Sequence, residues 1–219
     1  RTFLSLPAMA FLGAMLAVAA IVLAASGGRG GTVTLIMSGM AVSALCGAAT
    51  SVLLTLLREY QVAAYVFWTL GSLANRRWEH VLLLLPVVGA CAAVSLCLAP
   101  RLDVLMLGDE QAKALGVRPV GTRLLMIFVA SACTAAIVSV TGPIGFVGLI
   151  VPHAARLFTG ASHRRLLPLS LFMGAIFLML ADLLARTVVS PIELPIGVVT
   201  SLVGSVVFVV LFFRRRRLC

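Results

Sequence analysis

The apolar residues of this chain form seven long runs, and polar residues are largely confined to the short segments between them. Crossing a bilayer takes about 20 mostly apolar helical residues, so each run predicts a transmembrane helix. The fifth run is short and contains Pro152, which makes it the poorest match to that length. The runs cover residues 8–25, 35–57, 81–99, 124–140, 147–158, 166–188 and 196–213.

The first run also has features of a secretory signal: a basic first residue, an apolar stretch and small residues at its end. Its apolar core is longer than the roughly 7–15 residues of such signals, and the sequence does not start with Met. We therefore interpret it as a true span of a longer protein. The predicted fold is an all-α integral membrane helix bundle, a single transmembrane domain over residues 1–219 that is incomplete at its N-terminus.

Basic residues favour cytoplasmic loops, and their positions orient the seven predicted spans. With the four arginines at 214–217 inside, twelve of the 17 basic residues fall on the cytoplasmic side. The other eight of these are Arg29, Arg101, Lys113, Arg118, Arg123, Arg156, Arg164 and Arg165. The outer side receives Arg1, Arg58, Arg76, Arg77 and Arg186.

Composition narrows the functional classes. The chain is 62% hydrophobic and 11% charged, against about 25% charged in soluble domains. The net charge of +10 does not indicate nucleic-acid binding, because the basic residues lie between apolar runs rather than on one polar module. Four cysteines fall inside apolar runs without a CxxC pair, which indicates neither a zinc site nor a disulfide framework. No GxSxG, HExxH or Walker-type glycine loop indicates an enzyme.

Small residues recur every four positions along the second run, and no charge interrupts them. Such a face lets helix backbones approach closely inside lipid, so it predicts a neighbouring helix rather than a function. The residues are Gly39, Ser43, Gly47 and Ser51.

The segment LGDEQAKALGV at residues 107–117 has two acids and a lysine between apolar runs, and it predicts a short cytoplasmic helix. Asp109 is expected to cap its N-terminus, and Glu110 suits the positive end of the helix dipole. Gly116 is placed to end the helix in a left-handed conformation, and Ala112 and Leu115 are expected to share a face. So short a helix needs support. It is either a loop helix resting on the bundle or lipid headgroups, or a docking element for a cytoplasmic partner.

Glycines and prolines interrupt the apolar stretch at residues 141–153. Broken backbone at membrane depth is tolerated where protein or a water-filled cavity surrounds it, and transport proteins use such breaks beside their pathways. The alternative is an outer loop followed by a kinked helix. The interrupting residues are Gly142, Pro143, Gly145, Gly148 and Pro152.

Ionisable residues near the outer side are the remaining candidates. Asp182 and Arg186 are spaced to pair along one helix, although Arg186 could instead reach outward. Arg76 and Arg77 lie in an outer loop beside Trp78, a natural interfacial anchor, and could be ordinary solvated charges. His153 is a lone histidine without a second ligand at metal spacing.

Six segments taken together resemble the membrane permeases of FecCD type. They are GDEQAKALGV (108–117), the run from TGPIGFVGLIVPH to LLPLS (141–170), ADLLART (181–187), ELPIGVVTSLVG (193–204), MSGMAVSALCGAATSVLL (37–54) and FWTLGSLANRRWEHVLLLLP (67–86). The resemblance implies a permease subunit of an ATP-driven importer for iron–siderophore complexes, haem or cobalamin, in the bacterial plasma (inner) membrane. It also implies ten helices per subunit, of which the seven spans would be the fourth to tenth.

The same resemblance implies partners and site residues. The partners would be a cytoplasmic ATP-binding subunit that holds the ATP and Mg, a second permease subunit, and a periplasmic or lipid-anchored substrate-binding protein. Arg186, and less closely Arg76 and Arg77, would contact the binding protein. The docking helix for the ATP-binding subunit would use Gly108, Glu110, Ala112, Leu115 and Gly116.

Two rival hypotheses remain from the residues alone. An ion-coupled secondary transporter would need a buried acid for its coupling ion, and Asp182 is the acid placed for that role. A structural membrane scaffold would show no transport defect on deletion. Neither the chelate carried nor the identity of the second permease subunit can be read from the sequence.

Overall fold

The described part of the computed structural model comprises residues 5–26, 32–188 and 193–216, and it is helical without a strand. Arg1, Arg29 and Arg217 of the predicted topology lie outside these residues. The helices are α1 (Ser5–Ser26), α2 (Thr32–Leu56), α3 (Glu59–Thr69), α4 (Trp78–Leu105), α5 (Asp109–Ala114), α6 (Pro119–Thr141), α7 (Val147–Thr159), α8 (His163–Thr187) and α9 (Ile196–Arg216).

Each of the seven apolar runs lies on one of these helices, which confirms the all-helical membrane class. Five of them, α1, α2, α4, α6 and α8, are long and apolar enough to cross a membrane. Helix α7 has only 13 residues, or about 20 Å at 1.5 Å per residue, short of a hydrocarbon core of about 30 Å.

Helices α6 and α8 organise the bundle. The first packs against α1 and α4, and the second against α4, α7 and α9. Small residues dominate the buried faces, with Ala135, Ala136, Ala181 and Ala185 each at most 6% exposed. Close backbone packing on small residues is the usual basis of helix association in lipid, where burying apolar surface gives no advantage.

The small-residue face of α2 has no neighbour within the described chain. A Cβ added to Gly39 or Gly47 would meet no atom within 4 Å, and Ser43 and Ser51 are exposed. Helix α2 packs chiefly on α1. The neighbouring helix predicted for this face is therefore not among the residues described.

Helix α3 is an element that the apolar pattern did not predict. It lies in the stretch assigned to the outer loop and begins at Glu59, where the backbone N–H of Arg58 donates to Gln61 Oε1 at 3.1 Å. This is one half of a capping box. None of its residues is buried, so α3 is held through its C-terminal end rather than along its length.

Candidate functional site

The predicted cytoplasmic helix is present as α5, but its N-terminus is built differently from the expectation. The N-cap is Gly108, with φ of 108°, and no side chain caps the helix. The prediction that Asp109 is the cap is wrong. Its carboxylate accepts two hydrogen bonds from Arg123 of α6, at 2.6 and 3.0 Å. A bidentate arginine–carboxylate pair fixes orientation as well as distance, so it aligns the start of α5 with α6.

The C-terminus of α5 confirms the role predicted for Gly116. This glycine has φ of 79°, and its N–H donates to Lys113 O at 3.0 Å. The N–H of Val117 donates to Ala112 O at 2.9 Å. These two bonds form a Schellman motif, which ends the helix after about one and a half turns and leads directly into α6.

Helix α5 has one buried side chain that contacts the bundle and others that are exposed. Ala112 is 0% exposed, whereas Leu115 is 62% exposed. The two therefore do not share a face, because Leu115 is the C-cap residue and leaves the helical direction. Glu110 is exposed in the first turn. Helix α5 thus rests on the bundle through Ala112 and presents Glu110 and Leu115 to its surroundings.

A second contact, which the sequence did not predict, joins the end of α4, just before α5, to the start of α8. Asp103 Oδ1, near the end of α4, accepts from the backbone N–H of His163 at 2.8 Å and lies 2.6 Å from His163 Nδ1. His163 is the first residue of α8, and the N-cap Ser162 makes no side-chain bond. A carboxylate 60 positions away in sequence therefore caps α8.

At the opposite end of the bundle, three glycines bring three chain segments into backbone contact. A Cβ on Gly71 would collide with Pro143 O, one on Gly142 with Trp68 O, and one on Gly197 with Leu70 O. Gly71 and Gly142 also have positive φ, 67° and 73°. The N–H of Ser72 donates to Thr141 O at 2.9 Å. We call Gly71, Gly142 and Gly197 the glycine junction.

The predicted break between helices occurs at this junction. Helix α6 ends at Thr141 and α7 begins at Val147, with Phe146 left-handed at φ of 65°. Gly204 of α9 leaves room for the Phe146 ring, which a Cβ there would overlap. Of the predicted residues, Gly142, Pro143 and Gly145 lie in the break, while Gly148 and Pro152 lie within α7.

A cavity of about 690 Å³ opens beside the break. Its walls come from the end of α3, from the break and from one face of α9, where the hydroxyl-bearing Ser201 and Ser205 contribute. An open cavity next to interrupted backbone is the surrounding in which such breaks are tolerated at membrane depth. The role of the break in a pathway stays a prediction.

The paired alternative for Asp182 and Arg186 is confirmed. Arg186 Nε donates to Asp182 Oδ2 at 2.8 Å, and the Arg186 side chain remains 45% exposed. Both residues, with Glu193, line a smaller cavity of about 230 Å³. The C-terminal end of α8 therefore carries an arginine that is ion-paired and still accessible.

The outer-loop arginines lie at the start of α4. Arg76 and Arg77 are exposed, and Trp78 beside them is 79% exposed. The backbone N–H of Arg77 donates to His80 Nδ1 at 3.1 Å. His153 is exposed on α7, and no group of three or more metal-ligating side chains occurs in the described part of the chain.

Comparisons with known proteins agree on one kind of molecule. Residues 1–214 match the model of the FecCD transport family. The cobalamin import system permease protein of Halobacterium salinarum is 45% identical over 92% of this chain and 54% of its own length. The hemin transport system permease protein of Yersinia pestis is 39% identical over 94% of this chain and 62% of its own.

A solved structure gives the same result. It is described as an inward-facing conformation of a metal-chelate type ABC transporter, and it is 36% identical with a TM-score of 0.82. The match covers 90% of this chain and 63% of that one. The chain thus spans between half and two thirds of the length of these relatives.

Proposed function

This chain belongs to the FecCD transport family, and from that membership we propose that it is the permease subunit of an ATP-driven importer. The observation that carries the proposal is the construction of α5. A short polar helix is held by Ala112 and the Asp109–Arg123 pair, and it offers Glu110 and Leu115 outward. A part so fixed can pass movement to the bundle, whereas a frayed loop could not.

The substrate we propose is an iron–siderophore complex or a related metal chelate such as haem or cobalamin. The support is the printed function of the relatives, which include permeases for hemin, cobalamin and iron(III) dicitrate. The comparisons give no support to an ion-coupled secondary transporter. Asp182, the acid such a transporter would use, is paired with Arg186.

The partners we propose follow from the two ends of the bundle. A cytoplasmic ATP-binding subunit, carrying ATP and Mg, docks on Gly108, Glu110, Leu115 and Gly116. Ala112, which is 0% exposed, holds α5 against the bundle and does not reach that partner. A substrate-binding protein contacts Arg186, with Arg76 and Arg77 as further cations on the same side. The chelate released by the substrate-binding protein moves along the glycine-rich break and the cavity beside α9. This chain itself needs no cofactor and performs no chemistry.

The assembly we propose is a multi-pass protein of the bacterial inner membrane. The seven spans correspond to the fourth to tenth helices of a ten-helix permease. A second permease subunit, identical or not, faces the small-residue side of α2, where Gly47 has open space. The support is that α2 and α3 contribute no buried residue to the described chain.

Charge reversal at α5 tests the proposal. Glu110→Arg should abolish co-purification of the ATP-binding subunit and uptake of radiolabelled iron chelate, because it reverses the charge on the surface offered for docking. The matched control is Glu79→Arg, an exposed acid in the first turn of α4 at the opposite end. Intact complex formation and uptake in Glu110→Arg would refute docking through α5.

A further inference from the structure

A cavity of about 390 Å³ lies at the cytoplasmic ends of α4 and α6, and Gly116, just after α5, forms part of its edge. Two cations, Arg101 and Arg118, form part of its wall. Arg101 lies four positions before the end of α4 and Arg118 directly precedes α6. The proposed topology places both at the level of the inner headgroups.

The positive charge of this cavity is not neutralised within the described residues. Neither Arg101 nor Arg118 takes part in the ion pairs found there. Of the acids on the adjoining segments, Asp103 binds His163 and Asp109 binds Arg123, and the exposed Glu110 does not line the cavity. Two unpaired guanidinium groups on one cavity attract an anion.

The start of α6 adds backbone donors to the same wall. Its N-cap Arg118 provides no side-chain cap, and Pro119 in the first turn has no N–H to satisfy. The N–H groups of Val120 and Gly121 have no acceptor in the described chain. The space beside Gly121 is open, since the only atom within 4 Å of a Cβ added there would be Arg118 Cβ, at 4.0 Å. Open N–H groups at the start of a 23-residue helix favour anions, phosphate above all.

Thr122 provides an independent sign that a ligand belongs in the cavity. It is 5% exposed and lines the wall, yet its hydroxyl makes no hydrogen bond within the described residues. Other helical threonines, such as Thr134 and Thr141, return theirs to the carbonyl four positions back. Thr122 lies in the cavity wall, so its free hydroxyl can donate to an anion bound there.

We propose that this cavity binds a phosphate group, and specifically the headgroup phosphate of an anionic phospholipid of the cytoplasmic leaflet. Arg101 and Arg118 supply the charge, Gly121 the close approach and Thr122 a directed hydroxyl. The lipid is favoured over free phosphate because anionic lipid is concentrated at the depth where α4 ends and α6 begins. Basic residues at this surface are attracted to it.

The test is a titration of the purified full chain with dioleoylphosphatidylglycerol in detergent, against dioleoylphosphatidylcholine and against inorganic phosphate. An arginine that contacts an anionic headgroup strengthens binding about fivefold, so the double variant Arg101→Gln/Arg118→Gln should weaken apparent affinity about thirtyfold. The control Arg164→Gln/Arg165→Gln removes two exposed arginines of α8 that do not line the cavity. It should lower the affinity much less, because these arginines act only through the general attraction of the surface for anionic lipid.

The near-isosteric Thr122→Val keeps the test decisive if the double variant folds poorly. It should weaken phosphatidylglycerol binding several-fold and leave the residual phosphatidylcholine binding unchanged. Equal losses in the two arginine pairs, or no preference for phosphatidylglycerol, would overturn the proposal. Displacement of the lipid by millimolar inorganic phosphate would overturn the lipid assignment in favour of the free anion.

Discussion

Replacing Gly197 with alanine tests the glycine junction at its tightest point. The added Cβ would strike Leu70 O, lie 3.0 Å from Leu70 C and 3.4 Å from Pro143 O. All three are backbone atoms, so no side-chain rotation can relieve the overlap. Overpacking of this kind costs about 1–3 kcal/mol.

Part of that cost is offset by helix propensity, because Gly197 is the second residue of α9. Alanine gains at most about 1 kcal/mol over glycine, and less near a helix end. The net destabilisation should be about 1–2 kcal/mol, and for a chain of this size that lowers Tm by about 2–8 °C.

The assay is thermal unfolding of the purified chain in detergent, followed by intrinsic tryptophan fluorescence. Gly148→Ala is the matched control, because Gly148 is also helical and a Cβ there meets no atom within 4 Å. Its Tm should stay the same or rise by up to about 4 °C, from the propensity gain alone. If both variants unfold at the same temperature, the close contact at Gly197 does not hold α9 against α3.

Three further predictions concern the ends of the bundle and the open face of α2. Arg186→Glu should lower the affinity for the substrate-binding protein in proteoliposomes at least about tenfold, since reversing a cation in a charge pair costs over 1.4 kcal/mol. The control Arg58→Glu, on the same side, should leave it unchanged. If Arg186→Glu binds as tightly as the unaltered chain, Arg186 is not part of the contact. Asp103→Ala should cost about 1 kcal/mol by uncapping α8 and speed hydrogen exchange at the amides of residues 163–165, and unchanged exchange would show that the cap is dispensable. Ser43→Cys, in a cysteine-free background, should cross-link two copies in membranes if the second permease subunit is identical. If it cross-links instead to a different co-expressed permease, that permease is the second subunit.

The spans could be predicted from sequence because lipid imposes one demand, a long apolar helix, at nearly every position. Helix α3 does not meet that demand. It has 11 residues and follows α2 after only Leu57 and Arg58, so in the sequence it looks like the end of a span followed by a loop. Arg58 is not one of the residue types that favour an N-cap position, so the bond from its backbone N–H to Gln61 left no signature in the sequence.

The candidate site was predictable where local geometry decides it. Gly116 and the spacing of Asp182 and Arg186 depend on neighbours within one turn, and both were confirmed by the structure. Contacts between distant segments were not predictable. Asp109 accepts hydrogen bonds from Arg123 instead of capping its own helix, and Asp103 caps a helix that begins 60 residues later. One sequence contains no signal for which of several carboxylates meets which donor.

The Asp103–His163 contact has a mechanical consequence because of where α8 goes next. From His163 the helix runs 25 residues to Thr187, about 37 Å, and reaches the cation Arg186 on the far side. Near its middle, Gly174 faces Val151 of α7, whose Cγ1 would lie 3.8 Å from a Cβ added at Gly174. Pivoting about that point, a tilt of roughly 5° would swing each tip of such a rod about 1.6 Å in opposite directions. A displacement beside α5 would thus arrive at Arg186 reversed in direction, reduced by any bending at Pro168, where α8 lacks one backbone hydrogen bond.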